Sequence, residues 1–189
     1  MKLEDIQKDL KKRLSKERYT HSAEVAHAAL VLAKRYGANP KEAELAGWIH
    51  DCAKELKLSE MQTIVSDYGL KLDSLMLESR ALLHGPAGSI LAETRYGIDN
   101  KEIQSAIYYH TTGRPQMSLL EKIIFLADYI EPHRNFPGVE LIREKTKIDL
   151  DEGLLVAYNA TISHLLKNDA YIYDLTFTGR NDLILQMEK

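Results

Sequence analysis

Residues 118–130 read Ser-Leu-Leu-Glu-Lys-Ile-Ile-Phe-Leu-Ala-Asp-Tyr-Ile, and this stretch decides the fold class. Ser118 is a helix-capping residue, and Leu119, Leu120, Ile123, Ile124, Leu126 and Ala127 follow at helical spacing. The run predicts a strongly apolar helix that ends near Ile130. It is well short of the ~20 apolar residues that a membrane helix needs. Asp128 interrupts it. Burying an unpaired carboxylate costs several kcal/mol, so Asp128 needs a partner, either a metal ion or a Lys or Arg.

The helical period continues on both sides. Toward the N-terminus, a helix is expected from Leu3 to about Ser15, and another from about Thr20 to Tyr36, stopped by Gly37. Asn39-Pro40 supplies a cap and a first-turn proline for a helix to about Cys52. Ser59 caps a helix to about Tyr68, and Asp73–Ser79 makes a short helical turn. Gly85-Pro86 opens a helix that ends near Tyr96-Gly97, Asn100 starts one that reaches His110, and Thr111–Pro115 is a loop. Past Ile130, Glu131–Gly138 is irregular. Helices follow over about Val139–Lys145, about Asp151–Lys167 and within Asp174–Met187. No alternating segment is long enough for a sheet, and no repeat or linker divides the chain. The expectation is an all-α fold, a single compact helical domain over 1–189.

The 189 residues suffice for one good-sized core. A hydrophobic fraction of 44% and a charged fraction of 28% are ordinary for a soluble globular protein. Formal net charge is −3, so no global basic field attracts a nucleic-acid polymer. The one cysteine, Cys52, cannot form an internal disulfide and reads as a packed small residue. Met1–Lys12 carries both charge signs and lacks the apolar centre of a secretory signal. A cytoplasmic chain with no membrane partner is expected.

The chemistry centres on His50-Asp51, at the end of an apolar helix. Neighbours on a regular helix point about 100° apart, but they can converge on one ion where the helix ends. An imidazole and a carboxylate together suit a borderline divalent metal. His21, His84, His110 and Asp128 are further residues of ligand type at helix ends or within apolar faces, and Lys54 lies one turn beyond Asp51. His27 and His164 read as solvated or packed. His133 stays off the metal set, with a substrate contact left open.

In this order, His21, His50-Asp51 and a distal Asp128 resemble the H…HD…D signature of the HD superfamily of metal-dependent phosphohydrolases. His84 and His110 match the larger ligand set of its two-metal members. The segments Arg18-Tyr19-Thr20-His21, His50-Asp51-Cys52-Ala53-Lys54, His84-Gly85, Tyr109-His110-Thr111-Thr112-Gly113 and Ala127–Arg134 are similar to the YqeK family of symmetrical diadenosine tetraphosphate hydrolases. Arg180-Asn181 is similar to a pair in that family's last helix.

The resemblance implies an HD domain in which His21, His50, Asp51 and Asp128 hold one divalent metal. His84 and His110 would hold a second, with Asp51 bridging. Iron is the expected metal, as one or two ions, with manganese or another mid-series ion as alternatives. A metal-activated hydroxide would cut a dinucleoside polyphosphate symmetrically, turning diadenosine tetraphosphate and water into two ADP. Asp51 and Lys54 would be the catalytic residues. Arg18, Arg114 and Arg134, with Thr111 and the Gly113 amide, would bind the phosphates. Family analogy allows a homodimer. Other readings stay open: a nucleotidase or guanosine tetraphosphate hydrolase on the same scaffold, an oxygen-activating di-iron site, or a non-catalytic nucleotide sensor.

Overall fold

The computed structural model describes residues 1–188. Among them are helices α1 (Leu3–Arg13), α2 (Lys16–Tyr36), α3 (Pro40–Ile49), α4 (Leu58–Tyr68), α5 (Ser74–Glu78) and α6 (Arg80–Thr94). They are followed by α7 (Lys101–Tyr109), α8 (Leu119–Ile130), α9 (Val139–Ile148), α10 (Leu150–Lys167) and α11 (Asp174–Met187). No strand occurs among the described residues, and no helix there is long and apolar enough to cross a membrane. The all-helical expectation holds.

The architecture is built around α8. Ser118 and Glu121 start it with a reciprocal cap: Glu121 N–H donates to Ser118 Oγ at 3.3 Å, and Ser118 N–H donates to the Glu121 carboxylate at 2.8 Å. Ile123 through Ala127 are fully buried, because α2, α3, α7, α9 and α10 all pack on this helix. A second, smaller cluster of Ala53, Met61, Val65, Met76, Leu83 and Ala87 lies beneath α4, α5 and α6.

Three helix starts differ from expectation. Helix α2 begins at Lys16 rather than near Thr20, because Ser15 Oγ caps the Arg18 amide at 3.2 Å. That places Arg18 three residues before His21 on the same face. Helix α4 begins at Leu58 because Glu60 reaches back to the Lys57 amide at 2.8 Å. Helix α6 runs through Gly85-Pro86 instead of starting there. An interior proline costs about 3 kcal/mol. Here burial of Leu83 on the preceding turn, against the second cluster, outweighs the local signal.

Two glycines let helices approach closely where the histidines sit. A Cβ on Gly47 would lie 2.6 Å from Ala26 Cα, so α3 meets α2 backbone to backbone. A Cβ on Gly85 would lie 2.5 Å from the Tyr108 carbonyl oxygen, so α6 meets α7 in the same way. The first crossing brings His50 to His21, and the second brings His84 to His110. Gly47→Ala and Gly85→Ala are each expected to cost ~1–3 kcal/mol through overpacking. Thermal denaturation should show a fall in midpoint of about 2–4 °C per kcal/mol in a chain of this size.

Candidate metal centre

His21 on α2, His50 and Asp51 at the end of α3, His84 on α6, His110 at the end of α7 and Asp128 on α8 converge. They form three overlapping groups (His21, His50, Asp51; His50, His110, Asp128; Asp51, His84, His110), each with its ligand atoms within 4.8 Å of one another. Asp51 stands in the middle. Its Oδ2 is 3.6 Å from His50 Nε2 and 3.7 Å from His21 Nε2. Its Oδ1 is 3.2 Å from His84 Nε2 and 3.4 Å from His110 Nε2. His21 Nε2 also lies 3.0 Å from Asp128 Oδ1, and the Nε2 atoms of His84 and His110 are 2.9 Å apart. Atoms bonded to one ion at ~2.0–2.2 Å stand roughly 3.0–3.5 Å from one another, so this spacing suits a cation.

The rings are aimed from behind. His50 and His110 are the C-cap residues of α3 and α7, and each faces a carbonyl of its own helix with Nδ1: Gly47 O at 2.7 Å and Ile107 O at 2.7 Å. His21 Nδ1 faces Glu131 Oε1 at 3.2 Å. Each of these Nδ1 atoms faces an acceptor, the arrangement that places the proton on Nδ1 and frees the Nε2 lone pair when a cation binds. His21 Nε2, His50 Nε2 and Asp51 Oδ1 are buried with no hydrogen-bond partner. Buried lone pairs of this kind call for a cation. The donor set therefore fits a divalent metal.

The surrounding charges divide into those that reach this centre and those that do not. Arg18 Nη1 lies 2.7 Å from Asp51 Oδ2, and Arg134 pairs with Asp128. Asp128 thus has both a histidine and an arginine partner. Lys54 Nζ lies 3.1 Å from His84 Nε2 and 4.0 Å from Asp51 Oδ1. Thr111 Oγ1 is 3.2 Å from both His84 and His110 Nε2. Gly113 and Arg114 are engaged elsewhere: the Gly113 amide donates to the Tyr109 carbonyl at 2.7 Å, and Arg114 Nε donates to Glu121 at 2.9 Å. His27 and His164 are exposed. A cleft of about 550 Å³ opens beside His21, lined by the bases Lys16, Arg18 and Arg134, the acids Glu17 and Glu131, and by Thr20 and His133. The sequence reading missed the part played by Glu131. The available signal was an acid three residues beyond Asp128, at the end of the same helix.

A family model described as the HD domain matches residues 18–133, which contain all six converging side chains. The chain belongs to the HD domain family. An HD domain implies a divalent metal, and its His/Asp cluster could bind one. A relative from Halalkalibacterium halodurans, named symmetrical bis(5'-nucleosyl)-tetraphosphatase, is 43% identical over 95% of each chain. One from Bacillus subtilis with the same name is 39% identical, over 93% of this chain and 94% of the relative. A crystal structure from Clostridium acetobutylicum, described as a predicted HD superfamily hydrolase involved in NAD metabolism, superposes with a TM-score of 0.96. It is 40% identical and covers 98% of each chain.

Burial sets the protonation of this HD centre. It lowers His50 to about 3 and His84 to about 4. Burial pushes Asp51 up, yet His50, His110 and His84 around it hold it well below the usual carboxylate range. Burial likewise opposes ionisation of Asp128, and His21 with Arg134 overcomes it. The unfolded imidazoles bind protons below about pH 6.5, whereas the buried ones do not until far lower pH. The unfolded state then holds more protons, so stability falls as pH falls. The depressed carboxyls add the same sign below about pH 4. His21 opposes them. Burial lowers its pKa but the Asp128 contact raises it above the ordinary value, so its contribution is full below about pH 6.5 and fades as pH rises. The thermal midpoint of the chelator-treated protein is expected to fall steadily from pH 7 to pH 4. A flat or rising profile would contradict neutral, buried His50 and His84.

Proposed function

We propose that this chain is a metal-dependent hydrolase that cleaves dinucleoside polyphosphates symmetrically, taking diadenosine tetraphosphate and water to two ADP. One observation carries the reading: the two oxygens of Asp51 face two separate pairs of imidazoles, with Arg18, Lys54 and Arg134 standing beside the centre. The names of the full-length relatives point to the same substrate and the same symmetrical cut.

In this reading His21, His50, Asp51 and Asp128 hold one ion, and Asp51, His84 and His110 hold the other. Four imidazoles with two carboxylates favour iron, or another mid-series metal such as manganese, over magnesium. When bound, such a pair supplies Lewis acidity that makes water nucleophilic near neutral pH and clamps phosphate oxygens.

The protein's own groups do the rest. Lys54 sets an ammonium beside His84 and Asp51, where it neutralises charge building on the transferred phosphoryl group. Arg18 and Arg134, at the cleft beside His21, offer guanidinium forks to the phosphates further along the bridge. The Thr111 hydroxyl points at the His84–His110 pair and donates to a phosphate oxygen there. Glu131 holds the proton on His21 Nδ1 and so keeps Nε2 as a ligand. Gly113 and Arg114 hold the loop after α7 through Tyr109 and Glu121 rather than contacting phosphate. The whole chain, 1–189, acts as one HD unit on a small nucleotide in the cytoplasm, with no membrane or nucleic-acid polymer as partner.

Incubating the iron- or manganese-loaded protein with diadenosine tetraphosphate is expected to give ADP as the sole nucleotide product by anion-exchange chromatography. AMP plus ATP, or no turnover with either metal, would overturn the reading. Elemental analysis of freshly purified protein and of Asp51→Ala is expected to show most of the native metal lost in the variant. Unchanged metal content would remove Asp51 from the ligand set.

A further inference from the structure

The turn that follows α8 has two tasks at the centre. Its Glu131 carboxylate faces His21 Nδ1 at 3.2 Å, and its Arg134 guanidinium pairs with Asp128. Within the turn, the His133 amide donates to Glu131 Oε2 at 2.6 Å, and the Arg134 amide donates to the Glu131 carbonyl at 3.0 Å. The turn also carries Pro132 and Pro137, which cannot donate backbone hydrogen bonds. Carbonyls at the end of a helix such as α8 lack intrahelical partners.

One side chain from another helix donates to three carbonyls at the end of α8 and in the turn after it. Arg143 on α9 donates from Nε to the Ile130 carbonyl at 3.1 Å. Its Nη2 donates to the carbonyls of Glu131 at 2.7 Å and Arg134 at 3.0 Å. Its Nη1 pairs with Glu140 on its own helix. The side chain is only 20% exposed, so these bonds form largely out of water. A planar guanidinium can serve three carbonyls at fixed angles, whereas a lysine ammonium on a flexible stem cannot reproduce that fork. The bonds of Arg143 fall on main-chain carbonyls and Glu140, not on the six converging side chains.

We propose that Arg143 is a positioning residue of the metal centre: by clamping the carbonyls of Ile130, Glu131 and Arg134, it sets the turn that holds Glu131 on His21. The inference rests on His21 and Asp128 being metal ligands, as in the proposed function. Its action runs through the ligand histidine, so it is felt in metal affinity and not only in stability.

The test is a calorimetric titration of Mn²⁺ into the metal-stripped, full-length chain. Arg143→Ala is expected to weaken Mn²⁺ binding about 10–100-fold, the range for losing an outer partner of a ligand histidine. Arg143→Lys should weaken it less, and Glu131→Gln about as much as Arg143→Ala. The double variant should lose little more than the worse single variant, because the two residues act on one ring. A scaffold-only role would lower the thermal midpoint and leave Mn²⁺ affinity within about threefold of wild type. That outcome, or losses that simply add in the double variant, overturns the proposal. Should Arg143→Ala fail to fold, the same titration of Arg143→Lys decides, since unchanged affinity there overturns it equally. No nucleotide enters this titration. Wild type that binds Mn²⁺ but leaves diadenosine tetraphosphate intact overturns the substrate assignment alone, and wild type that binds no Mn²⁺ overturns both.

Discussion

A carboxylate only 2% exposed, with four imidazoles around it, sets the terms for the rest of the structure. Removing a charge from water is costly, and low dielectric magnifies whatever then faces it. Burial keeps His50 and His84 neutral, so these two rings bring no full positive charge to set against Asp51. The balance has to come from cations. Arg18, Lys54 and Arg134 stand against the two acids, and under the proposed function divalent ions take over that role. The three basic side chains then face an anionic substrate. This is how a chain of net charge −3 can receive a polyphosphate: Arg18 and Arg134 line the cleft beside His21, and Lys54 stands at the His84 side of the centre.

Helix packing serves this constraint at two crossings. Gly47 lets α3 lie on α2, and Gly85 lets α6 lie on α7, each at a separation that no Cβ would permit. Each crossing delivers one pair of histidines. One ring of each pair, His50 and His110, also shares a local device, a helix that ends at the ligand. Ending there lets Asp51 turn toward the same centre as His50, and it provides a spare carbonyl to fix each ring. Helix α8, buried on nearly every side, holds Asp128 against the α2 crossing and fixes the distance between the two halves.

Behind the ligand atoms lies a second set of contacts that decides where each ring points. Two of its members are main-chain carbonyls, which cost the sequence nothing and leave no trace in it. The third, Glu131, depends on the turn after α8 and, through that turn, on α9. The strong superposition on a solved HD superfamily hydrolase shows that this arrangement of helices recurs in a chain 40% identical.

The sequence by itself determined that the fold is helical, where most helices lie, and which six side chains were of ligand type. Periodicity, caps and a lone aspartate in an apolar run are local signals, and each survives without knowledge of the fold. Local signals failed where distant burial opposed them, as at Gly85-Pro86, where the packing of Leu83 carries α6 through a proline. Phosphate contacts were legible only as residue types. Gly113 and Arg114 sit in the expected loop, but their hydrogen bonds go to Tyr109 and Glu121. Only the tertiary structure decided which cations reach the centre, that Glu131 backs His21, and that Asp51 faces two ring pairs at once. Those facts depend on the angles and distances between helices. Such angles are fixed by close contact of residues far apart in the chain, and no reading of neighbours along the sequence contains them.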